Sequence, residues 1–121
     1  MKYDVQFTSQ FKKDLKLAKK QHNNLDKLFS VINTLANGET LNAKYKDHDL
    51  MGNYKGTREC HIEPDWLLVY EIKDDVLVLA GSIPSSMPDD IYQQILKRLS
   101  DKNMTIAVDA TKDLLLNVLE Y

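Results

Sequence analysis

Tyr3, Val5 and Phe7 alternate with polar neighbours, the period of a strand with one buried face. Thr8 or Ser9 then offers a helix cap, and Phe11, Leu15 and Ala18 recur at helical spacing. A second stripe (Leu25, Leu28, Phe29, Ile32, Leu35, Ala36) predicts another helix, which Asn37-Gly38 closes. Residues 39–53 follow neither period, and Met51-Gly52 marks a turn. Three apolar segments come next, 54–62, 66–72 and 76–80, separated by Pro64-Asp65 and Lys73-Asp74-Asp75. Strands joined by tight turns predict an antiparallel meander. Residues 1–80 therefore read as an α+β domain, a helical hairpin packed on a mainly antiparallel sheet.

Beyond residue 80 the pattern changes. Residues 81–88 read as a loop, with capping-box spacing between Ser86 and Asp89. Ile91, Ile95, Leu96 and Leu99 predict a helix, 105–108 a short strand and 111–119 a final helix. Residues 81–121 thus form a C-terminal α-β-α extension, packed on the same domain. Counted with strand 76–80, the order strand-helix-strand-helix has no hairpin turn and favours parallel pairing.

Composition narrows the class. The 121 residues suit one compact domain, and 43% hydrophobic with 28% charged residues argues for a packed core. No apolar run reaches the roughly 18–20 residues of a membrane span. The opening residues hold no apolar signal stretch, so the expected location is the cytoplasm, with no membrane partner. Cys60 is the only cysteine, which leaves no internal disulfide and no paired Cys/His metal motif; no cofactor is expected. The net charge of −2 is uneven: residues 1–74 carry 12 Lys and Arg against 11 Asp and Glu, and 75–121 carry 4 against 7. Lys12-Lys13, Lys19-Lys20, Lys44, Lys46, Lys55 and Arg58 give the first part a basic character that suits phosphate, although a solvated helix face would look the same.

Polar residues concentrate between Lys46 and Trp66, where Lys46, Asp47, His48, Arg58, His61, Glu63 and Asp65 occur. Metal-free RNA cleavage needs a base for the 2′-hydroxyl, an acid for the leaving 5′-oxygen, cations for the phosphorane and a hold on the bases. Histidine suits the first two tasks, Arg and Lys the third, and a ring such as Trp66 the fourth. Trp66 also opens an apolar strand and fits a core position equally well. Cys60 alternates away from His61, so a Cys–His nucleophile is poorly placed, and His22 falls in the polar inter-helix turn.

The stretch from Tyr45-Lys46-Asp47-His48 through Lys55-Gly56-Thr57-Arg58 to His61-Ile62-Glu63-Pro64-Asp65-Trp66 resembles the signature of YafQ-type toxins of the RelE/ParE superfamily. Phe11-Lys12-Lys13-Asp14 with Leu17-Ala18 resembles the family's first helix, and the likeness covers about residues 1–74. It implies a RelE-like fold and the toxin of a type II toxin-antitoxin system. Such a toxin is a ribosome-dependent, metal-independent mRNA endonuclease that a cognate antitoxin neutralises; its other partners are the ribosome and mRNA. Carried over by position, His48, His61 and Asp65 are catalytic, Trp66 is a site aromatic, and Lys46, Lys55 and Arg58 contact RNA. Asp49 and Tyr54 stand where the family often has Pro and Trp.

After Asp75 the likeness breaks. The family ends its last strand with an Arg-Thr-Gly-Ser/Thr-His segment whose histidine is catalytic. Here the stretch is Leu79-Ala80-Gly81-Ser82-Ile83, and no histidine follows His61. Residues 76–121 instead resemble an internal piece of a PfkB-type sugar kinase, on Val78-Leu79-Ala80-Gly81-Ser82-Ile83-Pro84, Pro88-Asp89-Asp90-Ile91-Tyr92 and Val108-Asp109-Ala110-Thr111. The kinase's Gly-Ala-Gly-Asp motif is absent, so no kinase activity is expected. The resemblance therefore implies a weakened nuclease. The alternative is an inactive chimera or binding module that engages antitoxin or ribosome without cutting.

Overall fold

The computed structural model describes residues 2–50, 56–88, 90, 91, 93 and 94. Strand β1 (Asp4–Phe7) leads into helices α1 (Ser9–Lys20) and α2 (Leu25–Ala36). A single 3₁₀ turn (Ala43–Tyr45) and the two-residue strand β2 (His48–Asp49) follow. Strands β3 (Thr57–Glu63), β4 (Trp66–Lys73) and β5 (Val76–Pro84) complete one five-stranded sheet in the order β1-β5-β4-β3-β2. The meander pairs are antiparallel, and β1 joins β5 in parallel, Asp4 beside Val76 and Phe7 beside Leu79. Residues 76–80 thus complete the sheet next to β1, as the α+β reading requires. No helix among the described residues is long and apolar enough to cross a membrane.

Local chemistry sets the helix ends. Thr8 is the N-cap of α1: its Oγ1 accepts the Phe11 N–H at 3.0 Å and donates to the Ala80 carbonyl at 2.7 Å, so one buried hydroxyl starts the helix and ties it to β5. Asn24 caps α2 through the Lys27 N–H. α2 stops at Gly38 (φ +75°), whose N–H bonds the Leu35 carbonyl while the Glu39 N–H reaches that of Thr34. That closure needs a left-handed residue, which glycine supplies without strain.

α1 buries Phe11, Leu15 and Ala18, and α2 buries Leu28, Val31, Ile32, Leu35 and Ala36. Both pack against Cys60, Ile62, Trp66, Leu68, Tyr70, Leu77 and Leu79, the side chains on one face of the sheet. A smaller cluster of Leu67, Val69, Ala80 and Ile83, with Leu50 and Met87, occupies the other face.

The 81–88 loop expected from Gly, Ser and Pro content is corrected. β5 continues to Pro84, with Leu67 paired to Ile83 and Trp66 to Pro84. A register shift between Val69 and Tyr70 inserts one residue at Ala80 and so brings Ile83 onto the same face as Ala80, in the second cluster; long-range pairing outweighs the local turn signal. The expected strand 54–62 is observed as Thr57–Glu63. Asp90, Ile91, Gln93 and Gln94 are helical; Ile95, Leu96 and Leu99 of the expected helix, the 105–108 strand and the 111–119 helix lie outside the described residues.

Asp14 forms a second clamp between α1 and β5. Its carboxylate accepts the Ser82 N–H at 3.0 Å and the Gln10 Nε2–H at 2.8 Å. Burial is the larger effect and raises its pKa above the ordinary 3.8, against the pull of both hydrogen bonds.

Two predictions follow from these clamps. Thr8→Val removes both hydroxyl bonds and should cost about 1–3 kcal/mol in urea denaturation, with Thr8→Ser losing much less; equal stability for all three proteins would refute the clamp. For Asp14, a pKa raised by folding contributes stability below the unfolded value and loses it as pH rises through the folded one. Asp14→Asn keeps an acceptor for Ser82 and removes the titration. Its stability relative to the parent should therefore climb as pH rises from about 4, then level off. A difference independent of pH would exclude Asp14 as the titrating group.

Candidate active site

β3 alternates strictly over its first six residues: Cys60 and Ile62 enter the helix-side core, and Thr57, Glu59 and His61 take the other face. β2 pairs His48 directly with Glu59, so His48 shares the face of His61. The two histidines are diagonal neighbours on adjacent strands, about 7–8 Å apart at Cα. His48 Nδ1 lies 2.6 Å from the Lys46 carbonyl and its Nε2 lies 3.5 Å from Glu59 Oε1. A carbonyl can only accept, so Nδ1 is the donor in that contact, and Nε2 faces a carboxylate. Lys46 presents that carbonyl from a left-handed backbone (φ 50°), unusual for a lysine. His61 places Nδ1 3.4 Å from the Pro64 carbonyl, and its Nε2 has no hydrogen-bond partner among the described residues.

His61 also lines a cleft of about 280 Å³ with Lys27, Lys44, Tyr45, Lys46, Ile62, Glu63 and Pro64. Lys46 thus meets His61 on one concave, cation-lined surface. Asp65 does not. It sits exposed in the β3–β4 turn on a separate recess of about 60 Å³ with Asp14, Trp66 and Ser82, and no hydrogen bond joins it to either histidine.

Arg58 and Trp66 differ from their expected settings. Arg58 pairs with Tyr70 across the sheet and so takes the helix side, opposite His61. Its Nε donates to Asp47 (3.3 Å) and to the Tyr70 hydroxyl (3.2 Å), and its terminal nitrogens pair with Asp47 and Asp49. The Tyr70 hydroxyl donates to Asp47 at 2.6 Å. Burial, then the hydrogen bond to Asp47, raises the Tyr70 pKa. Hydrogen bonds and charge from Asp47 and Tyr70 outweigh burial and raise that of Arg58. A guanidinium held by two carboxylates and a phenol ties β3 to β4 and to the Asp47–Asp49 segment. Trp66 is 6% exposed and packs in the helix-side core, leaving no ring face for a base. Cys60 is fully buried, and burial pushes its thiol up to about 12. Lys55 lies outside the described residues.

Ile83, at the position that the resemblance compares with a final histidine, is 2% exposed. It pairs with Leu67, which in turn pairs with His61. His61, Leu67 and Ile83 therefore form one row across the sheet, on the histidine face. Glu59 and Tyr45 were not singled out from the sequence. Glu59 stands two residues before His61, a spacing that puts both on one face. No comparable signal marks Tyr45. Among the described residues no three His, Cys, Asp or Glu side chains are grouped to hold a metal ion.

The profile of the bacterial YafQ toxins of type II toxin-antitoxin systems matches residues 3–85. The chain belongs to this family. It is 44% identical over 75 residues to the mRNA interferase toxin YafQ of Escherichia coli (strain K12), covering 61% of this chain and 82% of that protein. The toxin in the crystal structure of the E. coli DinJ-YafQ toxin-antitoxin complex is 39% identical, with a TM-score of 0.64 over 69% of this chain and 93% of that one. A metal-bound toxin from Helicobacter pylori is 41% identical, with a TM-score of 0.66 over 69% of this chain and 96% of that one. A second likeness is to 1-phosphofructokinase of Bacillus subtilis, 41% over 46 residues, which is 38% of this chain and 15% of that enzyme.

The Arg58 network makes a prediction separate from activity. Arg58→Ala leaves Asp47 and the Tyr70 hydroxyl without their cation and should cost about 1–2 kcal/mol, reduced from a buried pair by partial solvent screening. Thermal denaturation checks it; an unchanged midpoint would show the network to be superficial.

Proposed function

We propose that this chain is an mRNA interferase whose cutting face carries His61 and His48, and that it acts on ribosome-bound mRNA in the cytoplasm under control of a cognate antitoxin. The observation that carries this reading is the placement of two histidines on one face of adjacent strands with different hydrogen-bonding. His61 Nε2, unpartnered, takes the proton of the 2′-hydroxyl as its oxygen attacks phosphorus. The bond from phosphorus to the 5′-oxygen breaks, and His48 gives that oxygen the proton held on Nε2 toward Glu59. A 2′,3′-cyclic phosphate and a 5′-hydroxyl result, with no metal required. Lys46 supplies positive charge to the phosphorane. Arg58 and Trp66 are assigned to the framework, and Asp65 stays outside the proton path because it opens on another recess.

The E. coli relative that is crystallised with DinJ supports an antitoxin as partner. Residues 1–80 form the toxin domain in this reading, and 81–121 an extension whose sugar-kinase likeness begins at about residue 76, in the last toxin strand. The 46-residue likeness to phosphofructokinase supports a sugar-kinase origin for it. A second reading, an antitoxin-binding module that no longer cuts, is favoured by one observation: buried Ile83 in the row of His61.

The deciding experiment maps mRNA ends in translating ribosomes for the parent, His61→Ala and Ile83→His. Cleavage at A-site codons is expected to be slow in the parent and to fall a further 10²–10⁴-fold or so in His61→Ala. Ile83→His should recover rate. No cleavage by the parent or by Ile83→His, with antitoxin binding retained, would establish the binding-module reading.

A further inference from the structure

We propose that the cleft between the 3₁₀ turn, α2 and the end of β3 is a nucleotide subsite. It would seat the residue next to the scissile phosphate, with its base on the Tyr45 ring and its outer phosphate between Lys27 and Lys44. Which nucleotide this is rests on the nuclease reading above; that the cleft takes single-stranded RNA does not.

Size and charge set the ligand class. The volume of about 280 Å³ lies at the lower edge of small-molecule pockets. Its lining carries three lysines against one carboxylate, Glu63, which Lys27 already approaches at 3.9 Å. The surplus is positive and suits a phosphate.

Tyr45 supplies the aromatic part. Its ring is half-buried and leans on the core. The backbone beneath it is held by Asn42, whose side chain accepts the Lys44 N–H at 3.0 Å and whose carbonyl accepts the Tyr45 N–H at 3.0 Å. A platform fixed at both ends loses little freedom when a base stacks on it. Lys44 Nζ stands over that ring, 5.1 Å from its centroid. A nucleotide satisfies both groups in one exchange: its phosphate draws the ammonium aside and its base takes the vacated face. His61 lines the same cleft, so a base on Tyr45 sits beside the imidazole that would face the cut.

The test is binding, not cleavage. A short oligoribonucleotide with a 2′-deoxy residue at the cutting position is titrated into the full chain, and the Tyr45 and His61 ring signals are followed by NMR. Tyr45→Ala should weaken binding about ten-fold, and Tyr45→Trp should restore it. Lys44→Ala should reduce the salt slope by about 0.7. Lys19→Ala, on the far end of α1, should change neither. Binding that is absent, or that survives both Tyr45→Ala and Lys44→Ala, would overturn the subsite. Tighter binding of an acidic hexapeptide at the same signals would reassign the cleft to a protein partner. Because the probe cannot be cut, a catalytically dead parent leaves this test intact. Cleavage that depends on His61 but not on Tyr45 would sink the subsite alone.

Discussion

The structure depends on β4 being buried on both faces. From Trp66 to Tyr70 every residue is buried, so each face of the sheet must be covered around this strand. α1 and α2 cover Trp66, Leu68 and Tyr70, while Leu67 and Val69 gather Ala80 and Ile83 on the other side. A strand with no polar face cannot carry an acid-base site, because an uncompensated polar group there would lose its hydration. The ionisable groups are therefore displaced to β2 and β3, where alternation leaves one face polar. His48, Glu59 and His61 occupy that margin, beside the 3₁₀ turn that adds Lys44, Tyr45 and Lys46.

The same constraint explains the clamps on β5. β5 must lie between β4 and β1 for its apolar residues to meet both clusters. A parallel partner cannot be joined to it by a hairpin, so the two helices intervene between β1 and the meander. Thr8 and Asp14 then fix α1 to the end of β5 that bends across the register shift. The cost is a partly buried carboxylate whose ionisation folding opposes.

Both helices and the meander were legible because each is written in a regular period: Phe11, Leu15 and Ala18 at helical spacing, Val5 and Phe7 in alternation. The extent of β5 was not. Gly81 and Pro84 are turn residues locally, and only pairing with β4 makes them strand. The site was half legible. Alternation alone separates Arg58 from His61, so the chemistry that grouped them was less informative than counting. Trp66 and Asp65 could not be placed by counting, because the register shifts between His61 and Glu63 and parity is lost across it. Tyr45 lies in a segment without a period and joins the site only through the tertiary approach of the 3₁₀ turn to β3.

Ile83 shows where fold and chemistry part. Its strand, register and face are those a catalytic side chain would need, two strands from His61 or about 10 Å at the usual spacing. That span would let imidazoles at both positions reach one phosphate from opposite sides. An isoleucine there meets the demand of β4 for apolar cover next to Leu67 and so adds to the core that holds the sheet. The stability of this face thus does not require an ionisable group at this position, and isoleucine satisfies the packing rules without offering a proton carrier. His48 lies on the opposite margin of the sheet and faces Glu59, so the proposed mechanism gives it the leaving oxygen and runs between β2 and β3 rather than across β4.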